Sequence, residues 1–181
     1  MATATSSEAT TTASERVHQL LAATRETIGK VRYCWAVTVS ENGGANARPM
    51  GRVPGKPGED EWTVWFLTSG DSRKMAEIQR DPRITISYQR DSDDSYVALV
   101  GRAALVADRS EIRNRWEERW NDSRALIEAF PGGAEDPNAV FIRIEVDRIE
   151  LWVRGVTPEP FGLRGSVLHR DSANRWSIVS G

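Results

Sequence analysis

The stretch from Glu61 to Pro82 constrains this chain most, because it commits one short segment to a strand, a turn and a helix start. Trp62, Val64, Trp65, Phe66 and Leu67 are aromatic, β-branched or otherwise apolar, and Glu61 to Leu67 reads as a strand. Met75, Ile78 and Gln79 then recur at helical spacing until Asp81-Pro82 stops them, so a helix opens at Asp71 or Ser72. The first backbone N–H groups of a helix have no partners within it, which makes a helix start a ready anion site. Here Ser72, Arg73 and Lys74 place a hydroxyl, a planar two-pronged donor and a mobile point charge on that first turn. Two cations at a helix N-terminus oppose the macrodipole at about 0.3–1 kcal/mol each, a cost that a bound anion would offset. The same residues also read as a solvated Arg-Lys pair behind a capping serine, and this segment alone does not choose between the two.

With 181 residues, 39 % of them hydrophobic, the chain is expected to form a single domain over residues 14–181 behind a disordered leader, residues 1–13. That leader is Ala, Thr and Ser with a single Glu after Met1, and lacks the basic and apolar regions of a signal peptide. A net charge of −2 gives no basic face for nucleic acid, and no apolar run approaches the length of a membrane span. Cys34 is the only cysteine, which excludes an internal disulfide and fits a reducing, cytoplasmic setting. Its place in an apolar strand predicts a buried, inert thiol. His18 and His169 offer no metal-ligand spacing. Ser166, His169 and Asp171 have the residue types of a hydrolase triad but crowd into a Gly-broken tail, and are not read as one. Seven tryptophans are more than core filling ordinarily uses, and Trp favours interfaces and planar ligands.

Along the chain, Val17, Leu20, Leu21, Thr24 and Ile28 predict an amphipathic helix from the N-cap Ser14 to Gly29 at C′. Val31–Ser40 and Ala45–Val53 read as strands around an Asn42-Gly43-Gly44 hairpin, the second pushed toward a sheet edge by Pro49. Arg83–Gln89 and Ser95–Ala107 are further strands, with a bend expected at Gly101. Asp108 and Glu111 form a capping box for a helix to about Trp120 that carries Ile112, Trp116 and Trp120 on one face. Ala139–Val153 alternates as a strand with a charged interruption at Asp147-Arg148, and Arg175–Val179 is a candidate last strand. About six strands joined by short turns, without regular helix alternation, predict a mainly β fold. The expected architecture is a six-stranded antiparallel split β-barrel with inserted helices.

The order of features resembles the pyridoxamine 5′-phosphate oxidase-like superfamily of split-barrel flavoproteins, and within it the general-stress-protein branch. The resemblance spans roughly residues 14–155 and rests on a series of short motifs: Arg48-Pro49-Met50, Trp65-Phe66-Leu67-Thr68, Ser72-Arg73-Lys74, Gly101-Arg102-Ala103, Phe130-Pro131-Gly132-Gly133 with Asp136-Pro137, and Glu150-Leu151-Trp152. It implies an FMN cofactor, FAD also fitting. Ser72, Arg73 and Lys74 would hold its phosphate, and Arg48 would approach the flavin and its phosphate chain. Pro49 and Met50 would lie beside the isoalloxazine. Phe66, Leu67 and Thr68 would meet the ring edge and ribityl, and Trp152 would reach the flavin of a neighbouring subunit. A homodimer with flavin sites at its interface is implied, with no nucleic-acid or membrane partner.

Three departures bear on activity. Tyr96 stands where the oxidases carry a Gln, and Ala129 where the stress-protein loop carries a Trp. Val167-Leu168-His169 matches an Arg-Leu-His segment without its phosphate-binding arginine, which argues against vitamin B6 oxidation itself. The helix after the long strand is expected to cover or crowd the substrate side. The resemblance therefore implies an FMN-dependent oxidoreductase acting with a nicotinamide (NAD(P)H) or small-molecule partner. The alternative is a non-catalytic flavin-binding stress-response or carrier protein. Catalytic residues are not identified, and no metal is expected. Haem or a deazaflavin would fill a similar barrel, but the Ser-Arg-Lys anion site favours a phosphate-bearing ligand over haem.

Overall fold

The computed structural model describes residues 4–179, with side chains from residue 12 onward; most expected strands form, while the leader, the helical insert and the tail differ from their sequence patterns. Helix α1 (Ala4–Lys30) buries Leu20, Leu21, Ala23, Thr24, Thr27 and Ile28 on one stripe. The hydroxyls of Thr24 and Thr27 donate back to the Leu20 and Ala23 carbonyls at 2.9 and 3.0 Å, so the buried polar groups are satisfied. The helix starts inside the stretch expected to be disordered, of which residues 1–3 lie outside the described residues. It passes through both Ser14 and Gly29, which are therefore not its caps. Once the turns around Leu20 are docked, each added residue gains a hydrogen bond without a new nucleation cost, so weak helix formers can extend it.

The strands are β1 (Tyr33–Val39), β2 (Ala45–Gly51), β3 (Thr63–Ser69), β4 (Arg83–Arg90), β5 (Ser95–Val106), β6 (Ala139–Val153), β7 (Ser166–Arg170) and β8 (Trp176–Val179). Between them lie α2 (Arg73–Arg80), α3 (Arg109–Arg115) and α4 (Arg124–Ala129). The sheet order is β2-β1-β4-β5-β6-β7-β8, with β3 paired to β6 off that path. The fold is thus β-rich, with an antiparallel sheet of eight strands, whose ladders do not close on themselves among the described residues. The extra strands come from the tail: β7 is only five residues long, follows a Pro- and Gly-broken stretch, and becomes a strand by pairing Arg148–Leu151 of β6 with His169–Ser166. β6 runs straight through Asp147-Arg148. Its first half pairs with β3 (Thr63 opposite Glu145, Ser69 opposite Ala139) and its last part with β7. β2 stands at one end of the order, where Pro49 can lack its donor. Val53, just beyond β2, makes an isolated antiparallel bridge to Trp65, its N–H donating to the Trp65 carbonyl at 2.8 Å.

The described residues divide into two compact units, although one domain is expected from the sequence. One comprises the chain through Trp35, Ile86–Val100 and the segment from Asp147 onward; the other comprises Ala36–Thr85 and Gly101–Val146. The first is built on the buried stripe of α1 with Cys34, Tyr88, Leu99, Ile149, Leu151 and Leu168. The second contains a cluster of Val53, Trp65, Ile112, Phe130, Ala139 and Phe141, with Trp116, Trp120 and Leu126 packed against it.

That cluster corrects the expected long helix. α3 ends at Arg115, Trp116 is extended (φ −67, ψ 127), and a 3-10 turn spans Glu118–Asp122. The break lets Trp116 and Trp120 meet edge-to-face at 5.4 Å while both stay on the core. The N-cap does form, Asp108 accepting from the Glu111 N–H at 2.9 Å, but the Glu111 carboxylate pairs with Arg115 instead of completing the box. Gly101 is buried in β5, and a Cβ there would run into the Glu145 carbonyl. A Cβ on Gly29 would meet nothing within 4 Å. Chemical denaturation should therefore show Gly101→Ala destabilised by about 1–3 kcal/mol and Gly29→Ala stabilised by about 0.5–1 kcal/mol.

Candidate functional site

β3 delivers the chain to a turn that is held from outside. The Gly70 N–H donates to the Asn138 carbonyl at 2.8 Å. Asn138 is fixed in turn by Asp136, a buried carboxylate that accepts from the backbone N–H groups of Asn138 (2.9 Å) and Gly132 (3.1 Å). Arg109 donates to the carbonyls of Asp136 and Ala139 at 2.6 and 2.7 Å. The Phe130–Pro137 loop is therefore a bracket that sets where α2 begins.

α2 starts at Arg73 with Ser72 at the N-cap position in an extended conformation (φ −72, ψ 144). The serine hydroxyl does not cap the helix, contrary to the expectation of a capping Ser; it lies 3.3 Å from the Thr68 hydroxyl. Lys74 Nζ donates to the same Thr68 oxygen at 2.7 Å. Burial, then the nearby charge of Arg48, lowers the Lys74 pKa, against the opposing pull of Glu77 and Asp71. Arg73 is 75 % exposed and makes one contact to Glu77, Nε to Oε1 at 3.3 Å. Ser72, Arg73, Lys74 and Thr68 are thus gathered at one helix start, the serine hydroxyl held only by a long contact to Thr68 and the guanidinium only by a long contact to Glu77.

Beneath them lies a carboxylate. Glu77 is 4 % exposed, and both its oxygens are used. Oε2 accepts from the Thr38 hydroxyl and from Arg48 Nη2, each at 2.6 Å. Oε1 accepts from Asn46 Nδ2 at 2.6 Å and faces Arg73. Arg48 Nη1 donates to Thr38 Oγ1 at 2.6 Å, so the guanidinium is gripped at two points. Burial pushes the Glu77 pKa up, but the hydrogen bonds from Thr38, Asn46 and Arg48 outweigh it and hold the carboxyl below its ordinary value of 4.5.

Strand alternation sorts the other expected site residues. Asn46, Arg48 and Met50 share one parity of β2, whereas Pro49 is exposed on the other. On β3, Phe66 and Thr68 are buried at one parity, and Leu67 shares the opposite one with Trp65, packed on the Ile112–Phe141 cluster. The helical insert therefore covers the Trp65–Leu67 face of β3, not the face of Phe66 and Thr68. Arg115, buried among Glu59 and Glu111, lies 3.3 Å above the Trp65 ring on that side. Trp152 belongs to the other compact unit, half-buried on β6, where a Cβ on Gly165 would meet its ring at 2.6 Å.

Sequence reasoning missed Thr38, Asn46 and Glu77. A parity signal was available. Thr38 follows Cys34 and Ala36 at every second, buried position of β1. Glu77 sits beside Ile78 on the buried side of α2, four residues after Arg73, where a helix of this pattern calls for an apolar side chain.

A family model described as "Pyridoxamine 5'-phosphate oxidase like" matches residues 19–159. General stress protein 26 of Bacillus subtilis is 30 % identical over 103 residues, covering 53 % of this chain and 66 % of that protein, just under two thirds of its length. A Clostridium acetobutylicum protein related to general stress protein 26 superposes with a TM-score of 0.66 at 17 % identity, over 83 % of this chain and 94 % of the other. A pyridoxamine 5′-phosphate oxidase-related, FMN binding protein of Nostoc punctiforme gives a TM-score of 0.65 at 16 % identity, over 90 % and 95 %. The two structures share the fold.

Because Glu77 is depressed below 4.5, its stabilising contribution is fully present above that pH and is lost as pH falls through the lower folded-state value. Thermal melts of the wild type and Glu77→Gln should differ most above pH 4.5 and converge at more acid pH, where the wild-type side chain is protonated. A constant difference across this range would contradict the ion pairing described.

Proposed function

The chain belongs to the pyridoxamine 5′-phosphate oxidase-like family, and from that premise we propose that it is an FMN-binding flavoprotein whose phosphate site is the start of α2. The observation that carries this reading is a helix start whose N-cap hydroxyl is not spent on the helix and whose first turn bears two cations. A hydroxyl, a guanidinium, an ammonium and unpaired backbone N–H groups are the donor set a phosphate monoester takes. Ser72, Arg73 and Lys74 would hold the phosphate, and Thr68, which already orients Lys74, would lie toward the ribityl. Phe66 and Met50 would form apolar walls, with Pro49 and the Leu67 backbone at the ring edge. FMN supplies hydride or electron transfer when bound; the protein's part is to hold and orient it and to exclude water around it.

The finer reading is an oxidoreductase in a six-stranded split barrel, β2-β1-β4-β5-β6-β3. It would work as a cytoplasmic homodimer, with Trp152 reaching the partner's flavin and a nicotinamide or small molecule as second substrate. FAD presents a phosphate at the same place and is the competing cofactor. A second reading, a flavin carrier or stress-response protein without turnover, is favoured by Val167 at the position of the oxidases' substrate arginine and by the exposure of His169 on β7. Oxidation of NADH or NADPH by the FMN-loaded protein separates the two.

The purified protein should be yellow or take up FMN at micromolar concentration, with the released cofactor identified by mass. Replacing both Arg73 and Lys74 with Ala removes two charge-assisted contacts and should weaken FMN binding by about a hundredfold or more. Riboflavin, lacking the phosphate, should lose far less. Undiminished FMN occupancy in the double variant would show that the phosphate lies elsewhere.

A further inference from the structure

We propose that Glu77 is a positioning residue for the phosphate site: a buried carboxylate that sets the guanidinium of Arg48 and tethers Arg73, so that three cations can share one helix start. This rests on the reading of α2 as the phosphate site. Arg48 and Arg73 both reach Glu77, and Arg48 lies close enough to Lys74 for its charge to act on it; Arg48 is only 18 % exposed, so its charge has little solvent to relieve it. Without an internal anion, these side chains would splay apart before any ligand arrived.

Glu77 prevents this with both oxygens. Through Oε2 it fixes the plane of Arg48, because Thr38 bridges the two: its hydroxyl donates to Glu77 and accepts from Arg48, each at 2.6 Å. Through Oε1 it holds Arg73 at 3.3 Å, a loose contact on an exposed side chain. The consequence is a division of labour. Arg48 is locked before binding, while Arg73 is free to leave Glu77 for the ligand. The carboxylate also trims three positive charges to a net of two, which matches a phosphate monoester of charge about −1.5 to −2 at neutral pH. Glu77 makes no contact with the ligand in this scheme; it acts through the two arginines.

The test is the ratio of FMN to riboflavin affinity, read by quenching of flavin fluorescence in the wild type, Glu77→Ala, Glu77→Gln and Thr38→Val. Glu77→Ala should weaken FMN by about tenfold or more and riboflavin by less than about twofold. Glu77→Gln, which keeps one acceptor oxygen but no charge, should lower the ratio by about threefold. Thr38→Val should shift it in the same direction, since it cuts the bridge to Arg48. If Glu77→Ala fails to fold, Glu77→Gln decides. Equal loss for both flavins, an unchanged ratio, or tighter FMN binding in folded Glu77→Gln would overturn the proposal while leaving the phosphate site standing. A wild type that binds no FMN would overturn both.

Discussion

A carboxylate taken out of water must be met by donors on every side, or it protonates or unfolds its surroundings. Glu77 is met by three elements at once: Thr38 from β1, Asn46 and Arg48 from β2, and Arg73 from the first turn of α2. That requirement couples the hairpin to the helix start more strictly than apolar contact could. An apolar residue at position 77 would fill the space and leave Arg48 without its carboxylate counter-charge. The ion pair therefore specifies a relation between β2 and α2, and the cationic helix start follows from it.

The loop that returns to β6 supplies the complementary restraint. Arg109 and Asp136 spend their polar groups on backbone, and the product is a fixed Asn138 carbonyl aimed at Gly70. The turn between β3 and α2 is thus held by hydrogen bonds from one side and by the buried pair from the other. β3 itself is two-faced. Trp65 and Leu67 satisfy the helical insert, which leaves Phe66 and Thr68 on the side of Ser72 and Lys74.

Much of this was legible in the sequence where local chemistry decides the outcome. Asp81-Pro82 ends α2, Asn42-Gly43-Gly44 turns β1 into β2, and Pro49 sends β2 to the end of the strand order. The cationic helix start was visible as Ser72-Arg73-Lys74. What the sequence hid depends on partners distant in the chain. The extension of α1 turns on docking of its later turns, and β7 exists because β6 is there to pair with it. The role of Glu77 emerges only when Thr38 and Asn46, distant in the chain, converge on it.

The two ends of the strand path are unequally guarded. A sheet edge offers unpaired backbone groups to any passing chain. On β2 that offer is interrupted by an imino residue, Pro49, exposed in mid-strand. On β8, whose only strand partner among the described residues is β7, the side chains of Ile178 and Val179 are instead open to solvent at 39 % and 46 %. Strand addition is thereby discouraged at β2 and left open at β8.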